Sequence, residues 1–238
     1  MSPSPSKEAR TISGMFDAIA PRYDLLNRIL SAGFDRRWRR RAIASLALAG
    51  DETLLDVCAG TADVALEARR GVGRSRAGRV IAVDFSEAML AIGRRKVEAA
   101  GDTTALVRGD AMRLPIAEGR IDAVTAAFGV RNVEDAGAAC REMHRVLRPG
   151  GRLAILEFAI PTLPVVRQAY LGYFSVVLPA LGRLVSRHST AYSYLPASVG
   201  AFPSPARFAA LLRDVGFVGV TANRLTLGIV YMYRARKA

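Results

Sequence analysis

The chain has 238 residues, 51% of them hydrophobic, which is enough to bury one full-sized core and fits a single domain. Its two cysteines and two histidines are too few for a disulfide framework or a clustered ligand set, so no metal is expected. The net charge of +13 favours an anionic partner, either nucleic acid, lipid headgroups or a phosphate-bearing ligand, although an arginine-rich solvated surface would give the same balance.

Targeting and membrane-spanning segments are not expected. Residues 1–7 are polar and contain two prolines, without the apolar core of a signal peptide. The longest uncharged stretch, between Arg167 and Arg183, is shorter than the roughly 20 residues that a membrane span needs, and it contains Pro179. That stretch can lie on a bilayer but not cross it. We therefore expect a cytoplasmic protein.

The first fifty residues read as helices. Apolar periodicity predicts helices over 12–19 and 25–30, followed by an arginine-rich helix that runs through Trp38 to Leu48 and is ended by Gly50.

From residue 51 onward, short apolar runs alternate with helical segments, as is typical of a parallel sheet covered on both faces. The predicted strands span 53–57, 79–83, 104–108, 121–128 and 152–158, and the predicted helices span 64–70, 87–99 and 136–147. The sequence Arg148-Pro-Gly-Gly151 ends the last helix, because glycine accepts a left-handed cap and proline cannot continue the turn. Five strands joined by crossovers predict a doubly wound α/β sheet.

The C-terminal part departs from this alternation. Residues 161–182 resemble an inserted apolar helical segment, 205–215 a helix, and 219–234 two strands of an antiparallel hairpin, which brings the mostly parallel sheet to seven strands. We predict one domain with a helical cap (1–50), a ligand-binding core (51–160), a substrate lid (161–203) and a closing helix and hairpin (204–238).

A tight turn follows the first predicted strand. Asp56 closes that strand and leads into Val-Cys-Ala-Gly-Thr-Ala-Asp63, in which Gly60 allows close approach of the backbone and Thr61 offers a hydroxyl. The turn lacks the G-x-G-x-x-G spacing of a dinucleotide site, and Asp63 would repel a pyrophosphate. A cationic or zwitterionic ligand suits the turn better.

Carboxylates also stand at the ends of the next two strands. Asp84 can accept both hydroxyls of a ribose, and Asp110 can accept from an adenine amino group, although either one alone can equally be a helix cap. Because ligands of open α/β sheets bind beyond the carboxyl ends of the strands, the three carboxylates together indicate a pocket for a nucleoside with a positive centre. This is the pattern of class I S-adenosylmethionine-dependent methyltransferases.

Several longer stretches make the resemblance specific. The chain resembles the ubiquinone/menaquinone biosynthesis C-methyltransferase family, whose members methylate a ring carbon of a polyprenylated quinol. The similar stretches cover nearly the whole chain: MFDAIAPRYDLLN (15–27), LDVCAGTAD (55–63), FGVRNV (128–133), RVLRPGGR (145–152) with LEF (156–158), YSYL (192–195) with FP (202–203), and LTLGIV (225–230).

The resemblance implies a Rossmann-like fold and S-adenosylmethionine as the cofactor. It implies that Thr61, Asp84, Asp110 and Ala111 contact the cofactor and that Gly60 shapes the turn. Asp56, at the end of the first strand, and Ala127 are further candidates for the cofactor site. Ala127 stands where family members often carry a small polar residue beside the methionine end, so only a backbone contact is expected there.

Methyl transfer to a hydroquinone carbon requires that the phenolic proton be removed or accommodated. The candidates are Arg131 and Asn132, just past the fourth strand, and Tyr23, which is similar to a family tyrosine that faces the quinol. We expect Arg131 to stabilise the phenolate, directly or through a water, and Asn132 to orient the oxygen. The alternatives are a salt bridge from Arg131 to Glu134 or Asp135, and plain helix packing of Tyr23.

The predicted lid offers a surface for an isoprenoid tail, with core packing as the alternative. Its apolar segment, 163–185, carries Tyr170, Tyr173 and Phe174. Together with the basic run Arg36-Arg-Trp-Arg-Arg-Arg41, it favours peripheral attachment to the anionic inner face of the cell membrane. A homodimer is a further expectation.

Departures from the family pattern concern the substrate more than the cofactor. The chain has Ala59 and Ala62 where glycines are usual, His188 and Thr190 where ubiquinone-type members often carry aspartates, and Tyr233 where histidine is common. Residues 194–203 look closer to menaquinone-type members, so demethylmenaquinol is the expected substrate. A 2-polyprenyl-6-methoxy-1,4-benzoquinol and another aromatic small molecule are the alternatives.

Two other classes of protein fit the sequence less well. A methyltransferase of nucleic-acid amino groups would carry an Asn/Asp-Pro-Pro-aromatic clamp after the fourth strand, where this chain has Phe-Gly-Val-Arg-Asn, so no nucleic-acid partner is expected. A nicotinamide-dependent oxidoreductase would need the G-x-G-x-x-G turn that this chain lacks.

Overall fold

The computed structural model describes residues 9–20, 23–73, 75–173 and 190–238. Outside the described residues lie the polar segment 1–7 and residues 174–189 of the predicted lid, which include Phe174 and His188.

Three helices precede the sheet: α1 (Ala9–Ile19), α2 (Tyr23–Leu30) and α3 (Phe34–Leu46). The first two begin earlier than predicted. The third ends before Leu48 because Ala47 adopts a left-handed conformation, with φ of 48°, and donates its N–H to the carbonyl of Ala44.

The described residues form one seven-stranded sheet. Its strands are β1 (Thr53–Val57), β2 (Arg79–Asp84), β3 (Ala105–Arg108), β4 (Ile121–Ala127), β5 (Leu147–Phe158), β6 (Phe217–Leu225) and β7 (Val230–Lys237), in the order β3-β2-β1-β4-β5-β7-β6. β1 to β5 are parallel, whereas β7 pairs antiparallel with both β5 and β6. The predicted doubly wound, mostly parallel sheet with a C-terminal hairpin is confirmed.

Six more helices lie in the described part of the chain: α4 (Asp63–Arg70), α5 (Glu87–Ala99), α6 (Ala136–Val146), α7 (Pro164–Gly172), α8 (Thr190–Ala201) and α9 (Pro205–Asp214). The sequence did not predict α8 as a separate helix, because its apolar residues follow no helical stripe and Pro196 lies inside it. None of the described helices has the length and apolar character needed to cross a bilayer.

The largest difference between a predicted and an observed strand boundary is at the start of β5. β5 begins at Leu147, five residues before the predicted start, because Leu147 already pairs with Ile121 before the register shifts. Gly150, with φ of 75°, allows the chain to turn within this segment before regular pairing resumes at Arg152.

Alternate residues of the central strands belong to two hydrophobic cores, one on each face of the sheet. Leu54 packs with α3 and α4, including Ile43 and Leu66, whereas Leu55 packs with α6 and α9, including Met143 and Leu212. Because helices cover both faces, ligands reach the sheet only at its edges and strand ends, and those strand ends carry the predicted site.

Candidate active site

The candidate site lies at the carboxyl ends of the parallel strands, where β1 and β4 are neighbours and the strand order reverses. The loops that follow two such strands diverge to opposite faces and leave a crevice between them. Three adjoining cavities occupy this crevice and the space below α1, α2 and α3. We describe them as the strand-end cavity, the turn cavity and the aromatic cavity.

The strand-end cavity measures about 810 Å³ with its opening to solvent, and its lining includes Gly60, Asp84, Asp110, Ala111, Ala127 and Asn132. Asp84 Oδ2 accepts from the Gly60 N–H at 2.7 Å, and its Oδ1 accepts from the Ser86 N–H at 2.9 Å. Burial raises the pKa of Asp84, and these two N–H groups oppose that rise. The carboxylate therefore joins the first turn to the start of α5.

The turn between β1 and α4 uses left-handed backbone at residues that are not glycine. Cys58 has φ of 56° and Ala62 has φ of 64°, whereas Ala59 stays outside this region. Each left-handed non-glycine residue costs about 1–2 kcal/mol. Of Ala59 and Ala62, only Ala62 therefore carries a conformational cost.

The turn cavity is small, and its lining includes the polar side chains of Tyr23, Arg39, Asp56, Thr61 and Asp63. Asp56 is fully buried, and its Oδ1 accepts from the Thr125 hydroxyl at 2.9 Å. Its Oδ2 has no hydrogen-bond partner among the described residues. Burial raises the pKa of Asp56 to about 7.

Charged side chains fasten α2 and α3 to this turn. Thr61 Oγ1 donates to Asp24 Oδ1 at 2.6 Å and accepts from Lys96 Nζ at 2.9 Å. Lys96 also lies 2.5 Å from Asp24 Oδ2 and 2.7 Å from Asp63 Oδ1, and Asp63 Oδ2 lies 3.2 Å from Arg39 Nη2. We refer to these five residues as the turn network.

The aromatic cavity is the largest, at about 1690 Å³ with its opening to solvent. α1, α2 and α3 form one side and α7 and α8 another, and its aromatic lining residues are Phe16, Tyr23, Phe34, Trp38, Phe128, Phe158, Tyr170, Tyr173 and Tyr194. Tyr23 and Phe128 line all three cavities, so the cavities meet at these two side chains. A flat apolar ligand therefore fits beside a ligand of the strand-end and turn cavities.

Arg131 enters the aromatic cavity from the short turn after β4. Only 6% of the residue is exposed, and its Nη1 lies 3.1 Å from Glu157 Oε2 at the end of β5. The Arg131 N–H donates to Glu157 Oε1 at 3.2 Å, and the guanidinium lies 5.3 Å from the centre of the Phe158 ring. Its salt-bridge partner is thus Glu157, not Glu134 or Asp135.

Glu157 itself is fully buried. Burial raises the pKa of this carboxyl, and the neighbouring Arg131 opposes that rise. The buried pair holds the guanidinium in one orientation, with Nε of Arg131 left without a hydrogen-bond partner among the described residues. Asp135 has a different role, because it accepts from the Ala138 N–H at 3.0 Å and caps α6.

Comparison with known proteins decides the family. A family described as the ubiE/COQ5 methyltransferase family matches residues 4–237. The chain belongs to this family. A demethylmenaquinone methyltransferase of Thermus thermophilus is 46% identical over 219 residues, which cover 92% of this chain and 98% of that protein. A ubiquinone/menaquinone biosynthesis C-methyltransferase UbiE of Geobacter sp. is 44% identical, covering 98% of both proteins.

Solved structures agree with the fold. A SAM-dependent methyltransferase from Thermotoga maritima superposes with a TM-score of 0.64 at 16% identity, covering 95% of this chain and 100% of that chain. At this identity the likeness shows the fold alone. Family membership makes the protein an S-adenosylmethionine-dependent methyltransferase, which confirms the predictions of enzyme class and cofactor.

The methyltransferase brings the predicted site residues to one crevice. The residues assigned to the cofactor line the strand-end and turn cavities, while Arg131 lines the aromatic cavity and Tyr23 lines all three. Asn132 lines the strand-end cavity, apart from Arg131, and its Nδ2 donates to the carbonyl of Phe128 at 3.4 Å. Its role beside a substrate oxygen stays a prediction.

Sequence reasoning missed Glu157 and the ion-pair partners of the turn, Asp24, Arg39 and Lys96. A glutamate inside the apolar run of β5 was the available signal for Glu157, because a buried carboxylate needs a partner. No signal in the sequence pairs Lys96 with Asp24, since the two residues meet only when α2 folds over α5.

The buried ion pair generates a prediction about stability. Arg131→Met leaves the Glu157 carboxylate buried without compensation, so the free energy of unfolding should fall by about 3–5 kcal/mol at about pH 8 in chemical denaturation. The loss should shrink toward about pH 5. The pKa of Glu157 is higher in the folded protein than in the unfolded chain, so as pH falls the folded state binds the proton at a higher pH than the unfolded state does. The free energy of unfolding of the variant therefore increases as pH falls.

The double variant Arg131→Met/Glu157→Gln is the matched control and should recover most of the lost stability. A single variant as stable as the wild type at both pH values would show that the two charges do not depend on each other.

Proposed function

We propose that this methyltransferase transfers a methyl group to a ring carbon of a polyprenylated quinol, and that demethylmenaquinol is its substrate. One observation carries the proposal: two cavities lined by strand-end carboxylates meet a large aromatic cavity at Tyr23 and Phe128. The name of the Thermus thermophilus relative supports the choice of substrate. A methoxy-benzoquinol substrate is the second candidate, because UbiE relatives are named for both quinones.

The residues present fit S-adenosylmethionine. Asp84 and Asp110 offer acceptor oxygens for the ribose and the adenine, and Ala111 is a small wall of the strand-end cavity. Asp56 Oδ2 has no hydrogen-bond partner within the described part of the chain, and Asp56 lines the turn cavity with Thr61, which suits the ammonium and carboxylate of a methionine group. The cofactor, when bound, supplies a methyl group on a positively charged sulfur.

The aromatic cavity suits a quinol ring and its tail. Its lining is mostly apolar, so it excludes water, while Arg131 and the Tyr194 hydroxyl supply donors. Neither Arg131 Nε nor the Tyr194 hydroxyl finds a partner among the described residues. As a ring oxygen gains negative charge, the guanidinium stabilises it electrostatically, and the low polarity around it strengthens that attraction. Glu157 keeps the guanidinium in position.

We further propose that residues 161–203 are a lid over the substrate and residues 1–50 a cap over both ligands. α7 and α8 line the aromatic cavity through Val166, Tyr170 and Tyr194, which supports the first role. Tyr23 and Asn27 of α2 line the turn cavity, which supports the second.

Cofactor binding should depend on pH through Asp56. Burial raises the pKa of this carboxyl to about 7 in the free protein, and an ammonium ligand favours its ionised form. Calorimetric affinity for S-adenosylhomocysteine should therefore increase from about pH 6 to about pH 8, by at most about tenfold per pH unit below the pKa.

Asp56→Asn should bind more weakly and without this dependence. The matched control is Asp122→Asn, which removes a carboxylate on β4 that accepts from the Thr53 N–H. This variant should keep both the wild-type affinity and its pH dependence. An affinity of the wild type that stays flat over this range would argue against Asp56 as the ammonium partner.

Substrate identity is tested by incubating the purified protein with methyl-labelled cofactor and each reduced quinol in turn. We expect demethylmenaquinol to be methylated with at least about tenfold higher kcat/KM than the benzoquinol precursor, a preference of about 1.4 kcal/mol. The reverse preference would move the assignment to ubiquinone biosynthesis.

In the same assay, the stable double variant Arg131→Met/Glu157→Gln should lose about 100-fold or more in kcat, the usual cost of removing a group that stabilises transition-state charge. Arg141→Ala, which removes an exposed arginine paired with Asp135, should keep wild-type activity.

We also propose that the mouth of the aromatic cavity rests on an anionic membrane. Phe34 and Trp38 line both this cavity and a shallow depression that Arg37, Arg41 and Arg224 border. Phe34 and Leu227 are 40% and 59% exposed, so apolar and cationic side chains share this surface. Apolar tips with surrounding arginines are the composition of interfacial membrane contacts.

Charge reversal tests this surface. Arg37→Glu/Arg41→Glu should reduce co-sedimentation with anionic vesicles by about tenfold or more, since each arginine near such a surface contributes about 1 kcal/mol. Arg94→Glu/Arg95→Glu on α5 makes the same charge change at exposed positions outside the depression and should reduce binding much less. Wild-type protein that sediments equally with neutral vesicles would remove the proposal.

A further inference from the structure

The reaction needs a group that takes the proton of the ring hydroxyl, and neither Arg131 nor Asn132 is a base at neutral pH. The assignment of that group rests on the proposed function. Among the described residues that line the aromatic cavity there is a single carboxylate, Asp35, in the first turn of α3. The residue is 8% exposed, so its side chain belongs to the cavity wall and not to the outer surface.

The other polar groups of the described lining do not serve as bases. Arg39 and Arg131 are cations, and Asn27, Ser31 and Thr226 are neutral. Burial raises the pKa of Tyr23, Tyr170, Tyr173 and Tyr194, so these phenols remain protonated and act as donors.

Two donors hold the Asp35 carboxylate in place. The Ser31 hydroxyl donates to Oδ1 at 2.9 Å, and Arg39 Nη2 donates to Oδ2 at 2.6 Å. Each carboxylate oxygen has two lone pairs, so both oxygens can still accept from a ligand. The two hydrogen bonds therefore fix the position of the Asp35 carboxylate and leave lone pairs on both oxygens to accept from a ligand.

The charge around Asp35 does not cancel. Arg39 bridges Asp35 to Asp63, and Lys96 bridges Asp63 to Asp24. These ion pairs join three carboxylates to two cations, which leaves one excess negative charge among the five linked side chains. The excess negative charge of these linked side chains accommodates an incoming proton, and Asp35 is the carboxylate among them that lines the aromatic cavity.

We propose that Asp35 is the catalytic residue that accepts the proton from the ring hydroxyl next to the methylated carbon. As the new carbon–carbon bond forms, the sulfur–methyl bond breaks and leaves its electron pair on sulfur. The O–H bond breaks at the same stage, its electron pair forms the ring carbonyl, and the proton moves to the Asp35 carboxylate. A carboxylate is basic enough because the hydroxyl becomes strongly acidic once the ring carries the added methyl group.

The ring then regains its aromaticity. The hydrogen on the methylated carbon leaves as a proton to water, and the carbonyl oxygen recovers a proton from Asp35. One proton is released for each methyl group transferred, and Asp35 returns to its ionised form. Arg131 acts together with Asp35, because its positive charge lowers the energy of the oxygen while the O–H bond is broken.

Asp35→Asn is the primary test, because it keeps the size of the side chain and removes its basicity. With demethylmenaquinol we expect kcat to fall by about 100- to 10,000-fold, the range for general base catalysis. Affinity for S-adenosylhomocysteine should stay within about twofold, and Asp35→Glu should restore part of the rate.

Asp102→Asn is the matched control, since Asp102 also pairs with an arginine, Arg69, but lines none of the three cavities. Its activity should equal that of the wild type. If Asp35→Asn melts at a much lower temperature than the control, Asp35→Glu and the binding experiment below decide the question.

A second readout does not use turnover. We would titrate 4-nitrophenol into the protein loaded with S-adenosylhomocysteine and follow phenolate absorbance. An Asp35 carboxylate beside the bound phenol opposes its ionisation, so Asp35→Asn should lower the pKa of the bound phenol relative to wild type. Unchanged ionisation, or a kcat of Asp35→Asn within about fivefold of wild type, would overturn the proposal.

The two readouts also separate this proposal from the proposed substrate. If the wild-type protein methylates neither quinol while Asp35→Asn still lowers the pKa of the bound phenol, the proposed substrate is overturned and the role of Asp35 is supported. If the wild-type protein methylates demethylmenaquinol and Asp35→Asn changes neither kcat nor the pKa of the bound phenol, the substrate stands and the role of Asp35 is overturned.

Discussion

The site depends on the ion pairs and hydrogen bonds that fasten the N-terminal helices to the first turn of the sheet. Thr61, Lys96 and Asp63 lie on the turn and on α4 and α5, and they bind Asp24 of α2 and Arg39 of α3. A single partly exposed pair of this kind contributes only about 0–1 kcal/mol. Here the shared charges fix two helices over one turn, and the turn and aromatic cavities exist only because those helices lie there.

The charges of the crevice match those of the proposed reaction. A sulfonium donor brings a positive charge toward the strand-end carboxylates, and that charge leaves as a proton after methyl transfer. Arg131 and Glu157 form a neutral pair beside the acceptor, so the guanidinium can respond to a developing phenolate without attracting bulk anions. The excess negative charge that ends at Asp35 lies on the acceptor side, where the proton is released.

Backbone geometry at the crevice is equally constrained. Cys58 and Ala62 adopt left-handed conformations, and a Cβ atom at Gly129 would lie 2.2 Å from the Cβ atom of Cys58. The turn after β1 and the turn after β4 are thus in direct contact, with no room for a larger residue at Gly129. Left-handed backbone at residues other than glycine persists where the surrounding structure holds it in place.

The sequence by itself determined the alternation of strands and helices, the strand-end carboxylates and the first turn, because these follow from hydrophobic periodicity and from residues close together in the chain. Only the tertiary structure decided that Arg131 pairs with Glu157, 26 residues away, and that Asp35 lines the same cavity. Residues distant in the chain meet through the packing of α1 to α3 on the strand ends, and hydrophobic pattern determines which face of a helix is buried but not which charged side chains lie opposite it.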